Sequence, residues 1–162
     1  MNLKEYNHCI DKHSDGIFRF LFSLCKDHQL AQDLCQDVFE KVWMRCDSII
    51  LETAKSYLFR TAHNCFVDHY RRNKFQSPQE IDQLPISYEA SESNWDTQHW
   101  LHQGLLQLSE NQKSAILLRD YEGYSYQEIA DILEISLVQT KVEIFRGRKK
   151  LQRFIGKKEV LI

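Results

Sequence analysis

Three short signals constrain this chain more than anything else in it: Ser109-Glu110-Asn111-Gln112, Ser125-Tyr126-Gln127-Glu128 and Ser136-Leu137-Val138-Gln139. In each, the serine hydroxyl can accept the backbone N–H three residues on, while a Glu or Gln side chain reaches back to the serine N–H. This reciprocal pairing satisfies two of the orphan donors at a helix start. Three helix starts therefore follow one another closely. The short helix predicted over 125–133 runs at once into a longer one over 136–154, the pattern of a helix-turn-helix closed by a basic helix.

The rest of the chain points the same way. No segment alternates with period two long enough to build a sheet, and with five Gly and two Pro the chain has few breakers, so the fold class is all-α. Helices are predicted over 3–12, 14–26, 29–46, 54–74, 94–107, 110–121, 125–133 and 136–154. Both prolines, Pro78 and Pro85, fall in a stretch rich in Ser, Gln and Glu, which reads as an acidic linker over 75–93. Two small helical domains, 1–74 and 94–162, flank it. A chain of 162 residues with 43% hydrophobic content can bury one moderate core or two small ones.

Charge sorts the function classes. The net charge of -2 conceals a segregation of signs. From Lys141 to Lys158, the basic residues Lys141, Arg146, Arg148, Lys149, Lys150, Arg153, Lys157 and Lys158 stand against Glu143 alone, and Lys55, Arg60, Arg71, Arg72 and Lys74 form a second basic cluster. Between them, 75–112 holds no Lys or Arg but carries Glu80, Asp82, Glu89, Glu92, Asp96 and Glu110. The five cysteines, Cys9, Cys25, Cys35, Cys46 and Cys65, include no Cys-x-x-Cys pair, which speaks against a disulfide framework or a zinc ribbon. They read as reduced, mostly buried thiols. Neither His8, Cys9 and His13 nor His99 and His102 supply four ligands at metal-site spacings, so no metal or cofactor is assigned. The start of the chain lacks a basic segment followed by an apolar run, and no apolar stretch approaches the ~20 residues that cross a bilayer. A cytoplasmic protein without membrane insertion is the expectation.

Helical spacing then separates core from surface. Over 29–46, Leu30, Ala31, Leu34, Cys35, Val38, Phe39, Val42, Trp43 and Cys46 form an apolar stripe, while Gln32, Asp33, Gln36, Asp37 and Glu40 lie opposite. That second face is either solvated or a docking surface for a basic partner. Over 54–74, Leu58, Ala62, Cys65, Phe66 and Tyr70 are expected inside, with Arg60, Asn64, Val67, Asp68, Arg71 and Arg72 outside. Exposed polar groups beside the rings of Tyr57 and Phe59 suit nucleic acid, since rings can stack on unpaired bases. In the last helix Leu137, Thr140, Ile144, Gly147 and Leu151 form the inner stripe, with Ile129, Ala130 and Leu133 as expected partners. Val138, Gln139, Lys141, Val142, Phe145 and Arg146 then face outward. Arg can bond guanine, Gln adenine, and Val or Phe can pack on thymine methyls. Arg148, Lys149 and Lys150 fall where phosphates would run. The other use of this face is packing on a second protein.

These residues resemble the extracytoplasmic-function class of the sigma-70 family. Asp33-Leu-Cys-Gln-Asp-Val-Phe39 followed by Trp43 is similar to that family's polymerase-clamp motif. Tyr57-Leu58, Asn64, Asp68 and Arg71-Arg72 are similar to its minus-ten helix, and Leu108 to Leu151 to its minus-thirty-five domain, especially Glu122-Gly-Tyr-Ser-Tyr-Gln-Glu-Ile-Ala130 and Phe145-Arg-Gly-Arg148. The resemblance implies that core RNA polymerase is gripped by Asp33, Leu34, Gln36, Asp37, Phe39 and Glu40. It implies minus-ten contacts from Lys55, Tyr57, Arg60, Asn64, Asp68, Arg71 and Arg72, with flipped bases held near Asn64 and the loop 47–53. Minus-thirty-five contacts would come from Gln139, Lys141, Val142, Phe145, Arg146, Arg148 and Lys149. Promoter DNA, polymerase and an anti-sigma factor are the implied partners, and no reaction is catalysed by the chain itself.

Three positions depart from the pattern. Glu134 replaces the turn glycine, where a left-handed backbone is costly for other residues. Thr140 replaces an inner valine and needs a partner for its hydroxyl, such as a carbonyl one turn back. Glu143 stands where a basic residue is common. The competing readings are a two-domain helix-turn-helix regulator without direct polymerase binding, and a helical enzyme or metal protein built on His8, Cys9 and His13. A further expectation is that the acidic linker lies near a basic helix and weakens DNA binding in the free protein.

Overall fold

The computed structural model describes residues 1–76 and 92–159, with side chains for 1–74 and 99–156. The predicted linker and its carboxylates therefore lie largely outside the described residues. Seven helices follow in order: α1 (Leu3–Cys25), α2 (His28–Met44), α3 (Ala54–Gln76), α4 (Glu92–Leu105), α5 (Glu110–Ile116), α6 (Tyr126–Leu133) and α7 (Leu137–Glu159). Two single 3₁₀ turns, Cys46–Ser48 and Leu51–Thr53, join α2 to α3, and one π-helical turn, Leu117–Tyr121, extends α5.

The first module packs α1, α2 and α3 around Ile17, Phe20, Leu21, Leu34, Val38, Val42, Leu58, Phe59 and Ala62, all buried. Burial of each large apolar side chain contributes about 1.5–3 kcal/mol before the entropy of ordering is set against it. One continuous α1 replaces the two helices expected over 3–12 and 14–26. Ser14, Asp15 and Gly16 suggest a break locally, but Cys9, Ile17, Phe20, Leu21 and Leu24 make one buried stripe, and that packing outweighs the ~1 kcal/mol cost of a mid-helix glycine. A capping box, Asn2 with Glu5, starts α1, and the Asp27 carboxylate caps α2 by accepting the Leu30 N–H at 3.1 Å.

The second module packs α4 to α7 around Leu117, Leu118, Ile129, Ile132 and Ile144. Two of the three expected capping boxes close fully, at Ser109–Gln112 and Ser125–Glu128. At Ser136 the hydroxyl half is present, accepting the Gln139 N–H at 3.0 Å. Thr140 is fully buried and its Oγ1 donates to the Ser136 carbonyl at 2.9 Å, the partner its hydroxyl required. Gly147 of the inner stripe packs on α5 rather than on the α6 partners expected for that stripe. A Cβ placed there would come within 2.5 Å of Ile116 Cδ1 and 3.4 Å of Gln112 Cβ. Leu137, expected in the inner stripe, is 37% exposed.

Glu134 ends α6 in the left-handed conformation, φ 56° and ψ 42°, so the turn keeps its shape without its glycine. That conformation costs an L-residue roughly 1–2 kcal/mol. The exposed Glu134–Arg60 pair at 3.5 Å returns little of this. Glu134→Gly is therefore expected to raise stability by about 1 kcal/mol, read as a higher urea midpoint at unchanged slope. A lower midpoint would show the carboxylate's contacts outweighing the strain.

Candidate nucleic-acid interface

On α2, Asp33, Gln36, Asp37 and Glu40 are exposed on one face, and Phe39 is half-buried. Leu34 is 3% exposed and belongs to the core, so it cannot touch a partner directly. Its place in the helical stripe already carried that signal. Trp43, expected inside, is 46% exposed, its ring edge-on to Tyr6 at 5.0 Å.

On α3, Asn64, Asp68, Arg71 and Arg72 are exposed, and Lys55, Tyr57 and Arg60 are half-buried. Three expectations are corrected. Phe59 is fully buried, 5.8 Å from the Phe20 ring and 5.0 Å from the Tyr124 ring, and is unavailable for base stacking. Val67 is buried at 7%, whereas Tyr70 is 36% exposed and stacked on Phe66. For Phe59 the reason is tertiary: Tyr124 of the second module covers a flank of α3 that an isolated helix would leave open. The segment 47–53, expected as a loop, is formed largely by the two 3₁₀ turns. It anchors itself through buried Ile49 and lifts Ile50 and Leu51, 64% and 44% exposed, beside α3. Two aliphatic residues between breaks in the helical pattern were the available signal.

On α7, Val138, Gln139, Lys141, Phe145, Arg146, Arg148 and Lys149 are exposed and Val142 is half-buried, while Thr140, Ile144, Gly147 and Leu151 face inward. Val138 at 72% and Phe145 at 65% are large apolar side chains left in water. The Lys149 ammonium lies 5.6 Å over the Phe145 ring, and Lys141 lies 6.0 Å over Tyr126. Arg148 is paired bidentately with Asp120, and that hydrogen bond holds its guanidinium even more firmly protonated. Its charge is thus partly compensated within the chain.

Between the modules, Lys113 and His63 are buried at 7% each. The Lys113 ammonium donates to the Leu24 carbonyl at 2.7 Å and lies 5.9 Å over the Phe66 ring. Burial, followed by the charge of Lys26, lowers its pKa to about 8. His63 Nδ1 is 2.8 Å from Ser114 Oγ, and burial lowers its pKa to about 4. Among the thiols, Cys9, Cys35 and Cys65 are buried, and burial pushes Cys35 up to about 11.

An acidic-faced helical module joined to a helix-turn-helix whose last helix exposes basic and apolar side chains has the architecture of a DNA-directed initiation factor. Residues 9–76 match Sigma-70 region 2, and residues 98–151 match Sigma-70, region 4. The RNA polymerase sigma factor YlaC of Bacillus subtilis is 30% identical over 149 residues, covering 87% of this chain and 86% of its own. The ECF RNA polymerase sigma factor SigM of the same organism is 28% identical over 142 residues, covering 85% and 87%. Among solved structures, the sigma factor RpoE in complex with the anti-sigma factor NepR from Bartonella quintana aligns with a TM-score of 0.75 at 25% identity, over 95% of this chain and 98% of that one. CnrH in complex with the cytosolic domain of CnrY shares the fold, with a TM-score of 0.74 at 20% identity over 96% and 90%. The chain belongs to the sigma-70 family, within its ECF class of RNA polymerase sigma factors. Matches to both sigma regions favour this over the plain regulator. No described helix is long and apolar enough to cross a membrane.

Proposed function

We propose that this sigma factor docks on core RNA polymerase through Asp33, Gln36, Asp37 and Glu40, with Phe39 and Trp43 flanking that face. The division into a polymerase and minus-ten module over 1–74, a linker over 75–93 and a minus-thirty-five module over 94–162 belongs to the same reading. Tyr57, Asn64, Asp68, Arg71 and Arg72 of α3 meet the minus-ten element, joined by Lys55 and Arg60 once those are released from the second module. Exposed Ile50 and Leu51 offer an apolar wall against which a flipped base can rest, offsetting an unstacking cost of a few kcal/mol. Gln139, Lys141, Val142, Phe145 and Arg146 enter the major groove at the minus-thirty-five element, and Arg148 and Lys149 follow the phosphates. The chain addresses and opens DNA in the cytoplasm, and the polymerase performs the chemistry. An anti-sigma factor is a further partner, by analogy with the aligned complex of RpoE with the anti-sigma factor NepR.

The observation that carries this reading is the α7 surface: exposed Gln139, Lys141, Phe145 and Arg146 on the face opposite buried Thr140, Ile144 and Leu151. Run-off transcription with core polymerase over a promoter library tests it. Promoter-selective transcripts support the reading, and none above core polymerase alone overturns it. Within that assay's selected sites, Arg146→Ala is expected to weaken binding by ~1–3 kcal/mol and relax one base position, whereas Lys149→Ala weakens all duplexes alike. Equal losses on specific and random duplexes for both variants would refute this division of labour.

A further inference from the structure

One exposed carboxylate outside the assigned contacts, Asp120, sits directly behind a residue of the minus-thirty-five face. It lies in the π-helical turn Leu117–Tyr121 that extends α5. Its Oδ2 accepts the Arg148 Nε–H at 3.3 Å, and its Oδ1 accepts a terminal N–H of the same guanidinium. The approach has a local cause. Gly147, the residue before Arg148, is buried against Ile116 at the end of α5, where a side chain would collide. Asp120 follows Ile116 by about one helical turn and so meets the next side chain along α7. The segment around it is tied down as well: Arg119 donates to the Tyr124 carbonyl at 2.9 Å and lies 4.4 Å over the ring of Tyr126, which itself flanks Arg148. Among the described residues, Arg148 is the only basic side chain of α7 in an ion pair.

We propose that Asp120 is a specificity-determining residue of minus-thirty-five reading, positioning Arg148 so that it meets a phosphate only when α7 is seated in register in the groove. This role rests on the minus-thirty-five assignment made above. The carboxylate takes the Nε edge of the guanidinium and leaves the remaining terminal N–H groups for a phosphate. An unheld arginine surrenders the rotamer freedom of a long stem each time it binds. Arg148 has surrendered it beforehand, so its phosphate contact in the seated complex costs less. On a duplex where α7 is out of register, the same restraint keeps the guanidinium from swinging to the nearest phosphate, and the Asp120 charge repels that backbone. Both effects widen the gap between the correct element and random DNA, with no base contact by Asp120 itself.

The test uses the full chain, with fluorescence anisotropy on two duplexes of equal length, one carrying a minus-thirty-five element selected by run-off transcription and one of random sequence. Asp120→Asn keeps the size of the side chain and removes its charge. Affinity for the selected duplex is expected to fall at least threefold while affinity for the random duplex holds or rises, so the ratio of the two drops at least threefold. Simple loss of a negative charge beside DNA would instead tighten both duplexes alike. On the random duplex the freed Arg148 is expected to steepen the fall of log affinity with log salt by about 1, a slope that a merely structural ion pair would leave alone. Arg148→Lys keeps the charge but loses the bidentate fork. It is expected to lower the ratio similarly, and Asp120→Asn added to it lowers the ratio no further. Urea unfolding establishes that each variant is folded under the assay conditions, and Arg148→Lys supplies the same comparison if Asp120→Asn is not. Tighter binding to both duplexes, an unchanged ratio, or additive losses in the double variant overturns the role given to Asp120. If the wild type itself shows no preference for the selected duplex, the minus-thirty-five reading falls and this role with it; if the wild type discriminates and Asp120→Asn does so equally well, only the role of Asp120 is lost.

Discussion

Replacing Phe20 by alanine is expected to cost about 3–5 kcal/mol of stability, a large fraction of the roughly 5–15 kcal/mol that holds a small domain folded. Phe20 is 1% exposed at the centre of the first module, and its ring lies 5.8 Å from that of Phe59, which in turn meets Tyr124 of the second module at 5.0 Å. Truncation removes apolar contact, leaves a cavity that three packed helices cannot fully close, and loses an aromatic pair worth about 0.5–1.5 kcal/mol beyond its area. Phe18→Ala serves as the comparison, because Phe18 is only half-buried, stacked on Phe22 at 6.0 Å. Urea unfolding should show a much smaller loss for Phe18 than for Phe20. A loss below about 1 kcal/mol for Phe20→Ala would mean that the core does not depend on this ring as described.

The second large effect is expected in binding rather than folding. Asp33→Lys with Asp37→Lys reverses two exposed charges one turn apart on α2, and within the free chain this should move stability by no more than about 0.5 kcal/mol per site. The Asp33 carboxylate accepts only a surface hydrogen bond from Gln29 at 3.1 Å, so little native structure is lost. Against a basic clamp surface, the same reversal replaces attraction by like-charge repulsion, which costs several kcal/mol. Affinity for core polymerase is expected to fall at least 100-fold, about 2.7 kcal/mol. Competition with another sigma factor for core polymerase measures it. A doubly reversed protein that competes as well as the original would remove α2 as the docking helix.

These two expectations differ in how much of their basis is visible in one dimension. The acidic face of α2 is local, since Asp33, Gln36, Asp37 and Glu40 share a side by helical spacing alone. The same spacing places Leu34 in the buried stripe, so its burial was legible even though motif resemblance put it among the docking residues. Thr140 needed a carbonyl four residues back and found it, again a local requirement. Phe59 could not be judged this way. Period alone leaves it at the edge of the stripe, and only Phe20 and Tyr124, distant in sequence, make it core. Gly147 was legible as an inward-facing position, but its neighbour Ile116 follows from the order in which helices stack.

By itself, then, the amino-acid order determined where helices begin and end, which side of each is apolar, and which surfaces carry one sign of charge. Capping bonds and the 3.6-residue repeat act within one or two turns and need no knowledge of the rest of the chain. Tertiary structure alone decided that α1 runs unbroken through Gly16, that Glu134 accepts a left-handed backbone, and that Lys55 and Arg60 meet carboxylate and carbonyl oxygens of α6, partners 71 to 74 residues further on. Those outcomes depend on packing and charge pairing between distant segments, where the energy of the assembled module outweighs a local preference of about 1 kcal/mol.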